Sequence, residues 1–327
     1  MPRVVVFDQF GGPDVMHIVE EPVVEPTAGE VRVRIEAFAV NPLDQMMRSG
    51  SLPAAVALPH ARLGVEGTGI IDAVGPEVTG LEAGDPVILT AVPDASVRGS
   101  YAEYATVPAS RVLARPAGLG VAEAAAIWVA YSTAYGALVE KAKMRPGDHV
   151  LITAASGGVG RAAMQIANQI GAVPIAITRH AAKKDDLIAA GAAAVIATDQ
   201  ADIVEAVRHH TGGTGADIVL DLVMGPGQQD LLEAARPGGT LIAAGFLDPR
   251  PTLFPGGTPL TIYGYRSFEH TLDAVVVQRM AAFLNAGVRL GALWPALDKE
   301  FALDDVVEAH RHLEKGLHAG KKIVVTV

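Results

Sequence analysis

From residue 4 onward the chain sets short β-branched runs between Gly and Pro. Residues 4–7, 30–39, 69–74, 86–90 and 101–107 read as strands. Up to about Arg115 this texture predicts a compact β-rich domain with irregular connections. Beyond Val121 continuous apolar runs at 149–153, 173–178, 193–197, 218–222 and 240–244 alternate with Ala-rich helical stretches. Runs of that kind, bounded by turns, suit parallel strands buried on both faces. Five of them with helices between predict a doubly wound α/β sheet whose ligands lie beyond the carboxyl ends of its strands. The tail reads as a helix to 286, a helix over 303–315 and a strand over 322–327, too little for a domain of its own. The expected division is 1–120 with 275–327 for the β-rich domain and 121–274 for the doubly wound one.

Composition narrows the function. With 327 residues, half of them apolar, the chain can bury two cores, and a disordered or fibrous protein is excluded. No stretch approaches the roughly 18 continuous apolar residues of a membrane span. The opening Met1-Pro2-Arg3-Val4 lacks the regions of a secretory signal, so the expected compartment is the cytoplasm. A formal charge of −10, with no basic run longer than Lys183-Lys184 or Lys321-Lys322, argues against nucleic acid as a partner. The absence of cysteine removes disulfides, thiolate nucleophiles, iron–sulfur clusters and Cys-containing zinc sites together. The ten His are scattered; His209-His210 and His310-x-His312 fit helix surfaces better than a ligand set, and no metal site is expected.

The strongest local signal is the run from His149 to Gly160, which reads strand, then Ala154-Ala155-Ser156-Gly157-Gly158-Val159-Gly160, then a helical 161–170. A dinucleotide pyrophosphate needs a sharp turn, a bare backbone and a helix amino terminus facing the anion. Ala154 stands where the first Gly of the usual fingerprint would be. The next strand is followed by Arg179, where an NAD-binding chain usually carries an acid for the ribose 2′-hydroxyl. Arg179 and Lys183, with Lys184 as the bystander, instead offer positive charge to a 2′-phosphate, so NADPH is the expected cofactor.

Several further segments carry a resemblance: Phe10-Gly11-Gly12-Pro13, Asn41-Pro42-Leu43-Asp44 with Arg48-Ser49-Gly50, Gly64-Val65-Glu66-Gly67-Thr68-Gly69, Gly84-Asp85-Pro86-Val87, Thr133-Ala134-Tyr135, Pro237-Gly238-Gly239 and Gly320-Lys321-Lys322. In this order, with the Gly-rich turn, the chain resembles the zinc-independent quinone-oxidoreductase branch of the medium-chain dehydrogenase/reductase superfamily, nearly end to end. The resemblance implies a GroES-like domain built from both chain ends, a Rossmann domain in the middle, and a cleft holding nicotinamide and substrate. Val65 stands where the zinc-dependent relatives have His, so catalytic zinc is not expected; Glu66 then reads as a buried carboxylate paired with an Arg or backbone amides. The resemblance places Asn41 and Thr133 near the nicotinamide, with Asp44 either orienting Asn41 or capping a helix. It brings the backbone at Gly245-Phe246 alongside the cofactor, and Tyr265 to the same region or to a domain interface. Two departures stand out: Met46 occupies a position where relatives often have a substrate-facing Tyr, and Thr198 one where they have a Tyr on the cofactor phosphate.

A carbonyl reductase without a metal must stabilise the developing oxyanion by hydrogen bonds, which favours conjugated acceptors. Asn41, Thr133 and Tyr131 are the candidate donors, and no dedicated general acid is evident. The expected activity is NADPH:quinone reduction. The alternatives are an enone or enoyl reductase and, from another class, a non-catalytic NADPH-binding protein. The resemblance also implies a homodimer paired through an apolar strand near 260–264.

Overall fold

The computed structural model describes residues 1–327 except 53, 54, 92, 93, 254, 255, 258, 317 and 319. It divides into two compact units: Met1–Val129 with Trp294–Val327, and Ala130–Leu293. The division falls at 129/130 and 293/294, where the sequence suggested 120/121 and 274/275. The 16-residue helix Ala274–Arg289 therefore belongs to the second unit.

In the first unit, Glu30–Val40 is the central strand of the larger sheet. Its Val31, Val33 and Ile35 are buried between more exposed polar neighbours, the period-two pattern of a half-covered strand, before the run Ala37–Val40 goes under entirely. The order across this sheet is Leu297–Ala302, Lys322–Thr326, Glu30–Val40, Gly67–Val74, Pro86–Leu89, Val112–Ala114, with Tyr104–Pro108 also paired to Glu30–Val40. A smaller antiparallel sheet joins Met16–Glu20, Arg3–Phe7 and Ala61–Arg62. The carboxyl-terminal strand pairs antiparallel with the central one, Ile323 opposite Val40, so the tail does return to the amino-terminal unit.

The second unit holds a six-stranded parallel sheet in the order Ala194–Ala197, Val173–Thr178, His149–Ile152, Ala216–Asp221, Ala235–Ala243, Thr261–Gly264. All five strands expected from apolar runs are present, and Thr261–Gly264 adds an edge exposed along its length. His149–Ile152 lies between the second strand and the fourth of this series, so the winding reverses beside it. The crevice at such a reversal is where doubly wound sheets take ligands. Leu151, Ile175, Val219 and Leu241 lie in one buried cluster of this unit.

Candidate active site

The turn after His149–Ile152 is built for close approach. Ala154 sits at φ +44°, in the left-handed region where glycine is usual, and Gly157 is the N-cap of the helix Gly158–Ile170. A Cβ on Gly160 would lie 2.6 Å from the Ala155 Cα and 2.7 Å from the Ala154 oxygen, so only glycine lets the helix start against the strand. No acidic side chain occupies the first turn of that helix, leaving its free N–H groups and positive dipole end to an anion. The lining matches a dinucleotide pyrophosphate.

The basic residues expected here occupy different environments. Lys183, half-buried, donates from Nζ to the Ser156 hydroxyl at 3.2 Å, which joins it to the Gly-rich turn. Arg179 follows the strand Val173–Thr178 and is exposed, as is Lys184. Sequence reasoning missed two supports. Arg161 is buried, donates to the Ser156 carbonyl at 3.0 Å and pairs with Asp186, bracing the turn from its own helix. Asp199, beyond the next strand, accepts from the Ala181 N–H at 3.2 Å and fixes the segment after Arg179. Thr198 is exposed and its N–H donates to the Thr178 carbonyl.

At the same sheet end, Asp221 organises the loop that follows its strand. Fully buried, it accepts from Thr153 Oγ1 at 3.1 Å, from the Val223 and Met224 N–H groups at 3.0 Å each, and from Gln228 Nε2 at 3.0 Å. Gly245 packs on this loop, where a Cβ would come within 2.1 Å of the Leu222 oxygen, and the adjoining Phe246 is 63% exposed. Nothing in the sequence pattern singled out Asp221. Tyr265 is buried, its hydroxyl 3.2 Å from His270 Nδ1 and packed on Gly136; burial pushes that hydroxyl well above its ordinary pKa. Tyr131, also buried, donates from its hydroxyl to Gln165 Oε1 at 2.6 Å, and Thr133 is half-buried on the helix Trp128–Tyr135.

In the first unit Asn41 is nearly fully buried and sits within a polar network. Pro42 at the first helical position and Asp44 two residues on start the helix Pro42–Ser49. Asp44 accepts from the Asn41 N–H at 2.9 Å and the Gly64 N–H at 3.1 Å, so it caps the helix and ties it to the Gly64 turn. Gly64 has φ +108°, and a side chain there would strike Ser100. Burial, helped by the Glu66 charge, raises the Asp44 carboxyl from 3.8 to about 7 despite those two N–H donors. Glu66 is buried and bonded to a backbone amide as expected, Oε2 accepting from the Val129 N–H at 2.8 Å, but its ionic partner is a lysine and not an arginine: Oε1 accepts from Lys322 Nζ at 2.6 Å. Around the same core, Tyr101 stacks on Phe38 with centroids 4.1 Å apart and meets His310 Nε2 through its hydroxyl at 3.2 Å, while the buried Arg48 pairs with Glu314. Among the described residues no group of three or more His, Cys, Asp or Glu is placed to hold a metal ion.

Comparison with known proteins assigns the family. Residues 27–117 match the alcohol dehydrogenase GroES-like domain and residues 158–280 the zinc-binding dehydrogenase family. The human quinone oxidoreductase is 30% identical over 329 residues, covering 99% of this chain and 97% of that protein. The chain belongs to the quinone-oxidoreductase branch of the medium-chain dehydrogenase/reductase superfamily. Solved structures agree. The Escherichia coli quinone oxidoreductase complexed with NADPH superposes with a TM-score of 0.88 at 26% identity, covering 99% of this chain and all of that one. The CurK enoyl reductase superposes with a TM-score of 0.85 at 25% identity, covering 99% of each. As a member of this branch the chain is an oxidoreductase that takes a nicotinamide cofactor. The chain has no Cys, and Val65 stands where the zinc-dependent relatives carry His.

Proposed function

We propose that the protein is a zinc-independent, NADPH-dependent reductase whose acceptor is a quinone or another conjugated carbonyl compound. The observation that carries the cofactor choice is Lys183, held at Ser156 of the pyrophosphate turn, with Arg179 beside it and no acid directly ending the strand Val173–Thr178. A 2′-phosphate gains charge-assisted hydrogen bonds there; a bare 2′-hydroxyl gains little. Gly157, Gly158, Val159 and Gly160 would hold the pyrophosphate. The Gly245-Phe246 backbone, on the loop that Asp221 fixes, would flank the nicotinamide half. Tyr265, with its hydroxyl turned to Gly136 and His270, would support that wall rather than donate to the ligand.

The cofactor, when bound, supplies a hydride. With that hydride and one proton the acceptor would be reduced by two electrons, so the balance would need no further reagent. The protein's contribution is to bring the reacting atoms to about 3–3.5 Å and to exclude water. Asn41, Thr133 and Tyr131 are the residues we place at this end, and we take the proton from solvent. Conjugated acceptors suit such a site because their developing charge is already delocalised.

One observation favours an enone or enoyl acceptor as a second reading. Met46, half-buried on the helix Pro42–Ser49, puts an apolar, adaptable side chain where a tyrosine hydroxyl would favour a quinone oxygen. Loss of nicotinamide absorbance with an ortho-quinone, a para-quinone, an enone and a simple aldehyde separates the two. Turnover with the quinones supports the first reading and turnover confined to the enone the second. Binding of NADPH without any turnover contradicts both. We also propose a homodimer, because among the described residues the edge strand Thr261–Gly264 has one side without a paired strand, with Ile262 and Tyr263 exposed. A monomer in sedimentation at micromolar concentration contradicts it. No helix among the described residues is long and apolar enough to cross a membrane, and we place the protein in the cytoplasm.

A further inference from the structure

Arg161 is a costly residue for its place. It stands early in the helix Gly158–Ile170, 7% exposed, beside the buried Ala162, Ala163 and Met164. An apolar side chain would fill the position without desolvating a guanidinium. What the guanidinium gains is two anchors: Nε donates to the Ser156 carbonyl at 3.0 Å and Nη2 to the Asp186 carboxylate. Asp186 lies in the first turn of the helix Lys184–Ala189, whose N-cap is Lys183. Lys183 returns to the residue that Arg161 grips, donating from Nζ to the Ser156 hydroxyl at 3.2 Å.

These contacts close a ring. From Ser156 it runs through Arg161 to Asp186, back along the chain to Lys183, and through the Lys183 ammonium to Ser156 again. The start of the segment is held too, because the Ala181 N–H donates to Asp199 at 3.2 Å and the Lys183 N–H to the His180 carbonyl at 3.1 Å. A lysine at a helix start ordinarily loses much rotamer freedom when an anion fixes it, and a backbone and first contact already in place reduce that loss. Every residue of the ring lies in the unit Ala130–Leu293.

We propose that Arg161 and Asp186 are positioning residues for recognition of a ribose 2′-phosphate: by joining the Gly-rich turn to the start of the next helix, the pair holds Lys183 where that phosphate meets it. This rests on the reading above that Arg179 and Lys183 take the 2′-phosphate, and adds that the discrimination depends on an ion pair behind the lysine. Charge acting through space predicts a different pattern. Arg161 is a cation and Asp186 an anion, so their separate removal would then shift phosphate affinity in opposite directions. Acting through the placement of Lys183, both removals shift it the same way.

The test is the Kd of NADPH and of NADH by fluorescence titration, for wild type, Arg161→Met, Asp186→Ala and Asp185→Ala, each also combined with Lys183→Ala. Thermal melting checks the fold. Methionine keeps an apolar stem in the helix, and half of the Asp186 side chain is exposed, so its removal opens the pair to water. Asp185→Ala removes the same charge from an exposed neighbour without touching the pair. The preference for NADPH over NADH should fall by about threefold or more in both Arg161→Met and Asp186→Ala and should not fall in Asp185→Ala. With Lys183→Ala present, neither substitution should lower it further, the sign of action through that lysine. Opposite shifts in the two variants overturn the proposal, as do equal losses for both cofactors, an unchanged preference, a matching fall in Asp185→Ala, or a fall that persists without Lys183. An Asp186→Ala chain that does not fold overturns it as well, since the pair is then scaffold. A wild-type chain with no preference for NADPH overturns the cofactor reading itself, and is seen without any variant.

Discussion

The two regions that carry this protein's polar chemistry are built on opposite terms. Around Asn41 the charged groups Asp44, Glu66 and Lys322 are at most 8% exposed, and their hydrogen bonds run to one another and to backbone. Around Ser156 the buried Arg161 braces the turn through the Ser156 carbonyl and Asp186, whereas Lys183, half-buried with a contact to the Ser156 hydroxyl, and Arg179, exposed, are not drawn into such dense mutual pairing. Buried groups that satisfy each other are rigid and intolerant of a missing partner. Half-exposed cations keep their capacity for an incoming anion and are screened by salt. The first region is suited to holding one geometry, the second to recognising a charge.

The largest expected effect comes from breaking the one part of the second region that is not adaptable. Gly160→Ala puts a Cβ into backbone, so NADPH affinity should fall by about a hundredfold in a fluorescence titration, with the fold retained by circular dichroism. Affinity within about threefold of wild type would show that the turn does not need to be that close.

A smaller effect should sharpen the contrast from the buried side. The Asp44 carboxyl titrates at about 7 in the folded chain against 3.8 unfolded, so the native state holds a proton that the unfolded chain releases. Stability from this group is complete below about pH 4 and is lost as pH rises through 7. Asp44→Asn cannot titrate. The stability advantage of wild type over this variant, measured by urea denaturation, should therefore shrink as pH rises from 4 to 7. A gap that stays constant or widens contradicts the burial argument. His310 works in the other direction: burial lowers it from 6.5 to about 3, so its contribution is present above 6.5 and lost as pH falls toward 3.

The smallest effect concerns Ala154. Glycine there removes a left-handed alanine at some cost in chain entropy, and we expect a gain of about 0.5–1 kcal/mol, or roughly 1–3 °C in Tm by calorimetry. A lower Tm would show that the methyl group packs usefully in the turn.

The sequence made parts of this legible for reasons that can be named. Five parallel strands were readable because burial on both faces leaves continuous apolar runs, and the turn after residue 152 because close approach demands glycine. The edge strand 261–264, with its apolar residues exposed, was readable only through the resemblance. The helix Ala274–Arg289 went to the wrong side of the domain boundary because an amphipathic helix does not say which sheet it covers. For Glu66 the expected backbone amide is Val129 N–H, but the ionic partner is Lys322 and not an arginine, since Lys322 reaches it across 256 residues through strand register. Asp221 and Asp199 left no trace, because a buried carboxylate and an exposed one look alike until the fold supplies their neighbours.

The proposed reductase should distinguish NADPH from NADH through Arg179 and Lys183. The measurement is kcat/KM for each cofactor with one quinone or enone acceptor, in wild type and in Arg179→Ala with Lys183→Ala, at low and high salt. Wild type should prefer NADPH by at least about tenfold, a preference that weakens with salt and falls to about unity in the variant, with NADH kinetics nearly unchanged. Equal use of the two cofactors by the wild-type chain, or a preference that survives the double substitution, would contradict it.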